Sequence, residues 1–110
     1  MDTHRLSTLK ALLRRFPRAD LGFFPTPLHT LSRLGAKGGH DSLWAKRDDL
    51  TGLGLGGNKV RSLEFFLGQA LTEGADVVIT AGGLQSNLCR LTAAGRRPRS
   101  GSKCILVHND

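Results

Sequence analysis

The 110-residue chain has no tyrosine, one tryptophan, one methionine and two cysteines. Two cysteines, Cys89 and Cys104, cannot build a disulfide framework. Aromatic residues are scarce, with five phenylalanines in the whole chain. Recognition of single-stranded nucleic acid leans on aromatic platforms between the charges, and the basic segment 96–103 contains none. Acidic residues are also few. Nine Asp and Glu stand against 16 Lys and Arg, a formal charge of +7. The positive residues are scattered, so the surplus reads as a solubility feature and no nucleic-acid partner is expected. Uncharged apolar runs are only a few residues long, as in Val77-Val78-Ile79, too short for a bilayer-spanning helix. Early charges and the lack of an apolar run at the N-terminus leave no secretory signal visible. These absences point to a soluble, cytoplasmic protein with no membrane partner.

What is present is glycine, 14 residues of the 110, near double the usual ~7%. Leu6, Leu9, Leu12 and Leu13 recur at helical spacing, with Arg14 and Arg15 suited to a helix C-terminus. Phe16-Pro17 ends that helix, because a proline disfavours helix in the residue before it. Phe24-Pro25-Thr26-Pro27 reads as extended chain and residues 28–34 as a short helix or turn. Lys37-Gly38-Gly39-His40 reads as a loop, and a short strand is expected over 43–46. From Asn58 the pattern is helical, with Val60, Leu63, Phe66, Leu67, Ala70 and Leu71 on one face and Arg61, Glu64 and Glu73 largely elsewhere. Gly74 supplies the stop. Residues 76–81 form the best strand, apolar on both faces, and 103–108 form another. Alternation of strand and helix predicts an α/β protein with a parallel sheet and flanking helices. Gly95, Pro98 and Gly101 interrupt the helix expected before the last strand, an interior proline costing about 3 kcal/mol. Segment 95–102 therefore reads as an irregular, linker-like insertion.

Two loops are chemically suggestive. Gly52-Leu53-Gly54-Leu55-Gly56-Gly57 formally satisfies G-x-G-x-x-G. A dinucleotide fingerprint, however, needs its first glycine directly off an apolar strand and an acid near the end of the next strand. Neither is here, and Asn58 breaks the spacing of a phosphate-binding Walker loop. Lys59 follows at the start of a helix, where the dipole disfavours a cation. A neutral lysine amine attacks aldehydes, but the residues alone favour a lysine extended into solvent like most others. Gly82-Gly83-Leu84-Gln85-Ser86-Asn87 leaves the C-terminal end of the best strand, the usual ligand position in open α/β sheets. The helix start there suits an anion; the simpler reading makes Ser86 or Asn87 an N-cap.

Lys46-Arg47-Asp48-Asp49, Gly56-Gly57-Asn58-Lys59-Val60-Arg61, Leu63-Glu64-Phe65 and Gly82-Gly83-Leu84-Gln85-Ser86-Asn87 together resemble one family. It is that of pyridoxal-phosphate-dependent D-cysteine desulfhydrase and aminocyclopropane-carboxylate deaminase. Phe24-Pro25-Thr26-Pro27-Leu28 resembles the family's opening, and Lys103-Cys104-Ile105-Leu106-Val107 resumes the match. The resemblance implies the N-terminal portion of a two-domain, tryptophan-synthase-β-like (fold type II) enzyme, with residues 1–110 a fragment of it. It implies pyridoxal 5'-phosphate as cofactor, a small amino acid as substrate, no metal, and a homodimer for the full-length member. Lys59 would hold the cofactor covalently and move the substrate's α-proton. Asn58 and Asn87 would contact the cofactor, Asn87 at its phenolic oxygen. Ser86 would be nucleophile or proton relay, and Gln85, Ser86 and Asn87 would seat the substrate.

By the wording Asp48-Asp49-Leu50-Thr51-Gly52 the chain looks more like the desulfhydrase and cysteate-lyase branch, which eliminates a β-substituent to give pyruvate and ammonia. The deaminase branch is the alternative, and a non-catalytic truncated remnant is the alternative of another class. Leu88 departs from the His or Gln of those branches, and Ser62 from a usual basic residue. The family's phosphate-cradling loop is expected downstream of Asp110.

Overall fold

The computed structural model describes residues 2–95 and 102–109. Helix α1 (Thr3–Leu13) starts at Asp2, whose side chain accepts from the His4 N–H, the expected N-cap chemistry. Its leucine row forms as the spacing predicts, but no α1 residue is buried among the described residues. Strand β1 (Leu28–Thr30) replaces the helix or turn expected there. It pairs antiparallel with β2 (Trp44–Lys46), and helix α2 (Ser32–Gly38) lies between them, reaching into the segment read as a loop. Pro27 sets the conformation. Its carbonyl accepts from Arg47 N, and Leu31 N donates to Leu43 O, so the two short strands close on each other. The strand over 43–46 therefore does not join the parallel sheet that the alternation predicted.

The rest follows the α/β pattern. Helix α3 (Lys59–Thr72) leads to β3 (Val77–Gly82), then α4 (Asn87–Gly95) and β4 (Lys103–His108). Strands β3 and β4 pair in parallel from Val77–Lys103 to Gly82–His108, which puts both C-terminal strand ends side by side. Gly74 takes φ 68° just after α3, where a left-handed residue stops a helix. The insertion read over 95–102 falls almost wholly on residues 96–101, outside the described residues. Among the described residues no helix is long and apolar enough to cross a membrane.

The core is small. Val60, Leu63 and Leu91 form its centre, with Leu21, Phe24, Leu53 and Leu88 packed around them. The buried stripe of α3 is Val60, Leu63, Glu64, Leu67 and Gly68, which corrects the expected face: Phe66 and Leu71 are exposed and Glu64 is inside. The carboxylate of Glu64 has a reason to be there. Its Oε1 accepts from the backbone N–H groups of Leu21 and Gly22, both at 3.1 Å, and Oε2 pairs with Arg18. The Glu64 carbonyl also accepts from Ala19 N at 2.7 Å. Gly68 allows the close approach of this segment, since a Cβ there would lie 2.6 Å from Pro17 O. The Arg18 guanidinium stands 5.5 Å over the Phe24 ring and 5.4 Å over Phe65.

One residue thus fastens the chain of 18–22 to α3. Replacing Glu64 by Ala leaves two backbone donors and a guanidinium without their acceptor, and is expected to cost about 3 kcal/mol. Glu64→Gln keeps one oxygen acceptor and should cost about half as much. Urea unfolding of the two variants checks the order.

Candidate active site

The glycine-rich turn before α3 is fastened by side chains on both sides of it. Thr51 is fully buried. Its Oγ1 accepts from Gly57 N at 2.9 Å and lies within donating reach of the carbonyls of Asp48 (3.2 Å) and Gly57 (3.1 Å). Gly57 N also donates to Asp48 O at 3.0 Å. Gly56 is required at its position, with φ 74° and space for a Cβ only 1.9 Å from Asp49 O.

Asp48 binds the first turn of α3. Its two carboxylate oxygens accept from Arg61 Nε and Nη2, each at 2.7 Å, a bidentate pair. Thr26 Oγ1 donates to the same carboxylate at 2.9 Å, and Lys46 Nζ donates to the Thr26 carbonyl. The Arg61 guanidinium lies 4.9 Å over the Phe24 ring. Its hydrogen bond to Asp48 raises the Arg61 pKa; the same bond, helped by Thr26, holds the Asp48 carboxyl at about 2 against an ordinary 3.8, burial opposing. Beside it, Arg47 bonds the exposed Asp49 and lowers that carboxyl too.

This frame presents Asn58 and Lys59. Asn58 occupies the N-cap position in helical conformation and makes no side-chain capping bond. Lys59, the first residue of α3, is exposed. The second loop runs from β3 into α4. Ser86 N donates to Gly83 O at 2.9 Å, closing a turn, and Ser86 Oγ accepts from Cys89 N at 3.3 Å. Ser86 is thus the N-cap of α4, as one reading of the sequence had it, while its hydroxyl proton stays available. Gln85 and Asn87 are exposed beside it. From β4, His108 Nδ1 lies 3.2 Å from Gly82 O and 3.3 Å from Gly83 O, so that nitrogen carries the proton and braces the loop.

Arg90 joins the two loops. Its Nη2 donates to Gly56 O at 3.2 Å and to Asn87 Oδ1 at 3.0 Å. Gly56 is three residues before Lys59, so the lysine-bearing turn and the Ser86-Asn87 turn are neighbours. Sequence reasoning missed Arg90, Arg61, Asp48, Thr51 and His108. Only Arg90 carried a readable signal, its i+3 spacing from Asn87 on a helix.

Residues 19–110 match the family described as "Pyridoxal-phosphate dependent enzyme". The chain belongs to that family. A Pyrococcus horikoshii relative is 48% identical over 97 residues, covering 88% of this chain and 29% of that protein. The Burkholderia vietnamiensis protein named "1-aminocyclopropane-1-carboxylate deaminase" is 50% identical over 97 residues, covering 86% of this chain and 28% of that protein. A solved structure titled "Crystal Structure Analysis of the ACC deaminase homologue" superposes with a TM-score of 0.81 at 47% identity, over 89% of this chain and 30% of that one. The chain therefore spans less than a third of the length of the curated relatives it matches. The fold is accordingly that of the fold type II enzymes, α/β with a parallel sheet.

The residues present fit one side of the family's cofactor. An exposed amine suits an aldehyde. Asn87, its oxygen already held, has its amide N–H groups left to give to a ring oxygen. Arg90 Nη1 is buried without a hydrogen-bond partner among the described residues, an unmet donor at the junction of the two loops.

The Asp48–Arg61 pair fastens this frame, and its pH dependence has a definite sign. The folded pKa of Asp48 is depressed, so its contribution is present above about pH 4 and is lost as pH falls from 3.8 toward about 2. In Asp48→Asn that part of the acid destabilisation should disappear. Urea midpoints taken between pH 5 and pH 2 (a range of about three pH units) for both proteins provide the check.

Proposed function

We propose that this chain carries the lysine and the substrate-seating loop of a pyridoxal-phosphate-dependent enzyme that deaminates a small amino acid. The observation behind this reading is the Arg90 bridge, which ties the turn bearing Lys59 to the turn bearing Ser86 and Asn87. When bound, the cofactor would supply an electron sink for negative charge developing on the substrate. Lys59 would hold it through its amine and would serve as the base that moves a substrate proton, the α-proton in D-cysteine or a ring CH2 proton in 1-aminocyclopropane-1-carboxylate, which has no α-proton. Asn58, the neighbouring residue in sequence, would contact the cofactor, and Asn87 would give an amide N–H to its ring oxygen. Ser86 has a hydroxyl proton free to pass on. Gln85 and the unpaired N–H groups at the start of α4 receive the substrate carboxylate.

The names of the relatives favour ring-opening of 1-aminocyclopropane-1-carboxylate, which with water yields a four-carbon 2-oxo acid and ammonia. The wording around Asp48 to Gly52 supports a second reading, elimination of a β-thiol from D-cysteine to give pyruvate, with the cysteate sulfo-lyase branch close to it. Leu88 favours neither branch, because it packs against the core and offers the polar group of neither.

Adding pyridoxal phosphate to the purified chain should give a visible band near ~410–430 nm. Borohydride reduction and peptide mapping should then place the label on Lys59, and Lys59→Ala should lose both. Offering 1-aminocyclopropane-1-carboxylate and D-cysteine separately, with the 2-oxo acid identified, decides the branch. A chain that captures no cofactor at Lys59 is the non-catalytic remnant instead.

A further inference from the structure

We propose that Arg90 is a positioning residue that fixes which end of the Asn87 carboxamide faces outward. A guanidinium can only donate hydrogen bonds. The Asn87 atom 3.0 Å from Arg90 Nη2 is therefore the oxygen, and Nδ2 with its two N–H groups is turned away. The same Nη2 is anchored on Gly56 O at 3.2 Å, so the cation cannot follow the amide if it rotates. Flipping the amide would set N–H donors against a cation that already has a buried, unmet donor in Nη1. An exposed asparagine on a helix end would otherwise sample both orientations, giving the site an acceptor as often as a donor. Arg90 sits one helical turn after Asn87, and its own N–H bonds the Ser86 carbonyl at 3.2 Å, which keeps its backbone in register with both loop residues.

The amide's orientation stands on this geometry alone. Its consequence, a donor always presented to the cofactor's ring oxygen, rests on the function proposed above, and the experiment separates the two. In ¹⁵N-labelled chain without cofactor, the Asn87 side-chain amide should relax like the α4 backbone. In Arg90→Lys, which keeps the charge but lacks the fork, it should relax like a free surface amide while the backbone spectrum of α4 is retained. An Asn87 amide that is already free in the unmodified chain overturns the proposal, and no variant is needed to see it.

With pyridoxal phosphate added, losing the donor should move the pH midpoint of the visible band upward by about one pH unit. The shift should appear in Arg90→Lys and in Asn87→Ala, with no further shift in the double variant, a result that a merely structural role for Arg90 would not produce. A band whose midpoint stays put in Arg90→Lys also overturns the proposal. If Lys59 takes up no cofactor at all, the proposed function fails, and the orientation of Asn87 is decided by the relaxation data.

Discussion

The bidentate contact between Asp48 and Arg61 is the constraint on which the arrangement around Lys59 depends. A turn with four glycines in six residues has unusual freedom in the unfolded chain, and of its two leucines Leu53 packs against the core while Leu55 is exposed. Its order has to be imposed from outside. Asp48 and Thr51, both just before the turn, do this by reaching across it, Asp48 to Arg61 in the first turn of α3 and Thr51 to Gly57. Exposed ion pairs contribute about 0–1 kcal/mol, so the pair matters less for what it adds to stability than for the geometry it sets. With Thr26 and the Phe24 ring joined to it, the helix start has one position relative to the rest of the domain.

Cations elsewhere work in the same way. Arg18 is held by Glu64, Arg61 by Asp48, Arg47 by Asp49 and Arg90 by Gly56 and Asn87. Arginine suits these tasks because its planar fork can serve two acceptors from different segments at once, which a lysine ammonium does less well. Several charges that count toward the net +7 are thus internal fasteners.

The long elements were legible from residue pattern alone. The strand read over 103–108 coincides with β4, while the helix read from Asn58 with its stop at Gly74 and the strand read over 76–81 differ from α3 and β3 by a residue or two. The buried face of α3 was harder. Val60, Leu63, Glu64, Leu67 and Gly68 follow the i, i+3, i+4, i+7, i+8 spacing of a core stripe, but two of the five are a carboxylate and a glycine. Apolarity alone rotates the face toward Phe66 and Leu71, because it cannot register a charge buried for backbone donors or a glycine kept for close contact. β1 was missed for a related reason. Three residues carry no period, and the strand exists through its pairing with β2. The site was legible as two motifs; spacing offers Arg90's contact with Asn87 on its own helix, but not the bond that joins the motifs, which goes to a backbone carbonyl 34 residues away.

The sheet carries one more implication. Strand β3 is apolar on both faces, the pattern of a parallel strand buried on both sides. In this chain Val78 and Thr80 lie half-buried, whereas Val77 and Ile79 stay exposed, as do Ile105 and Val107 on β4. The described residues therefore cover one face of a sheet whose side chains are written for two. Relatives that share this portion at 47–50% identity carry it within chains more than three times as long. Ile79 and Ile105 are register partners, side by side on the face that the described residues leave exposed. The site shares this dependence on the sheet, since the loop of Gln85, Ser86 and Asn87 springs from the end of β3 and is braced by His108 at the end of β4. Whatever steadies the two strands steadies that loop, so the order of the Gln85-Ser86-Asn87 turn and the cover of the sheet are one problem and not two.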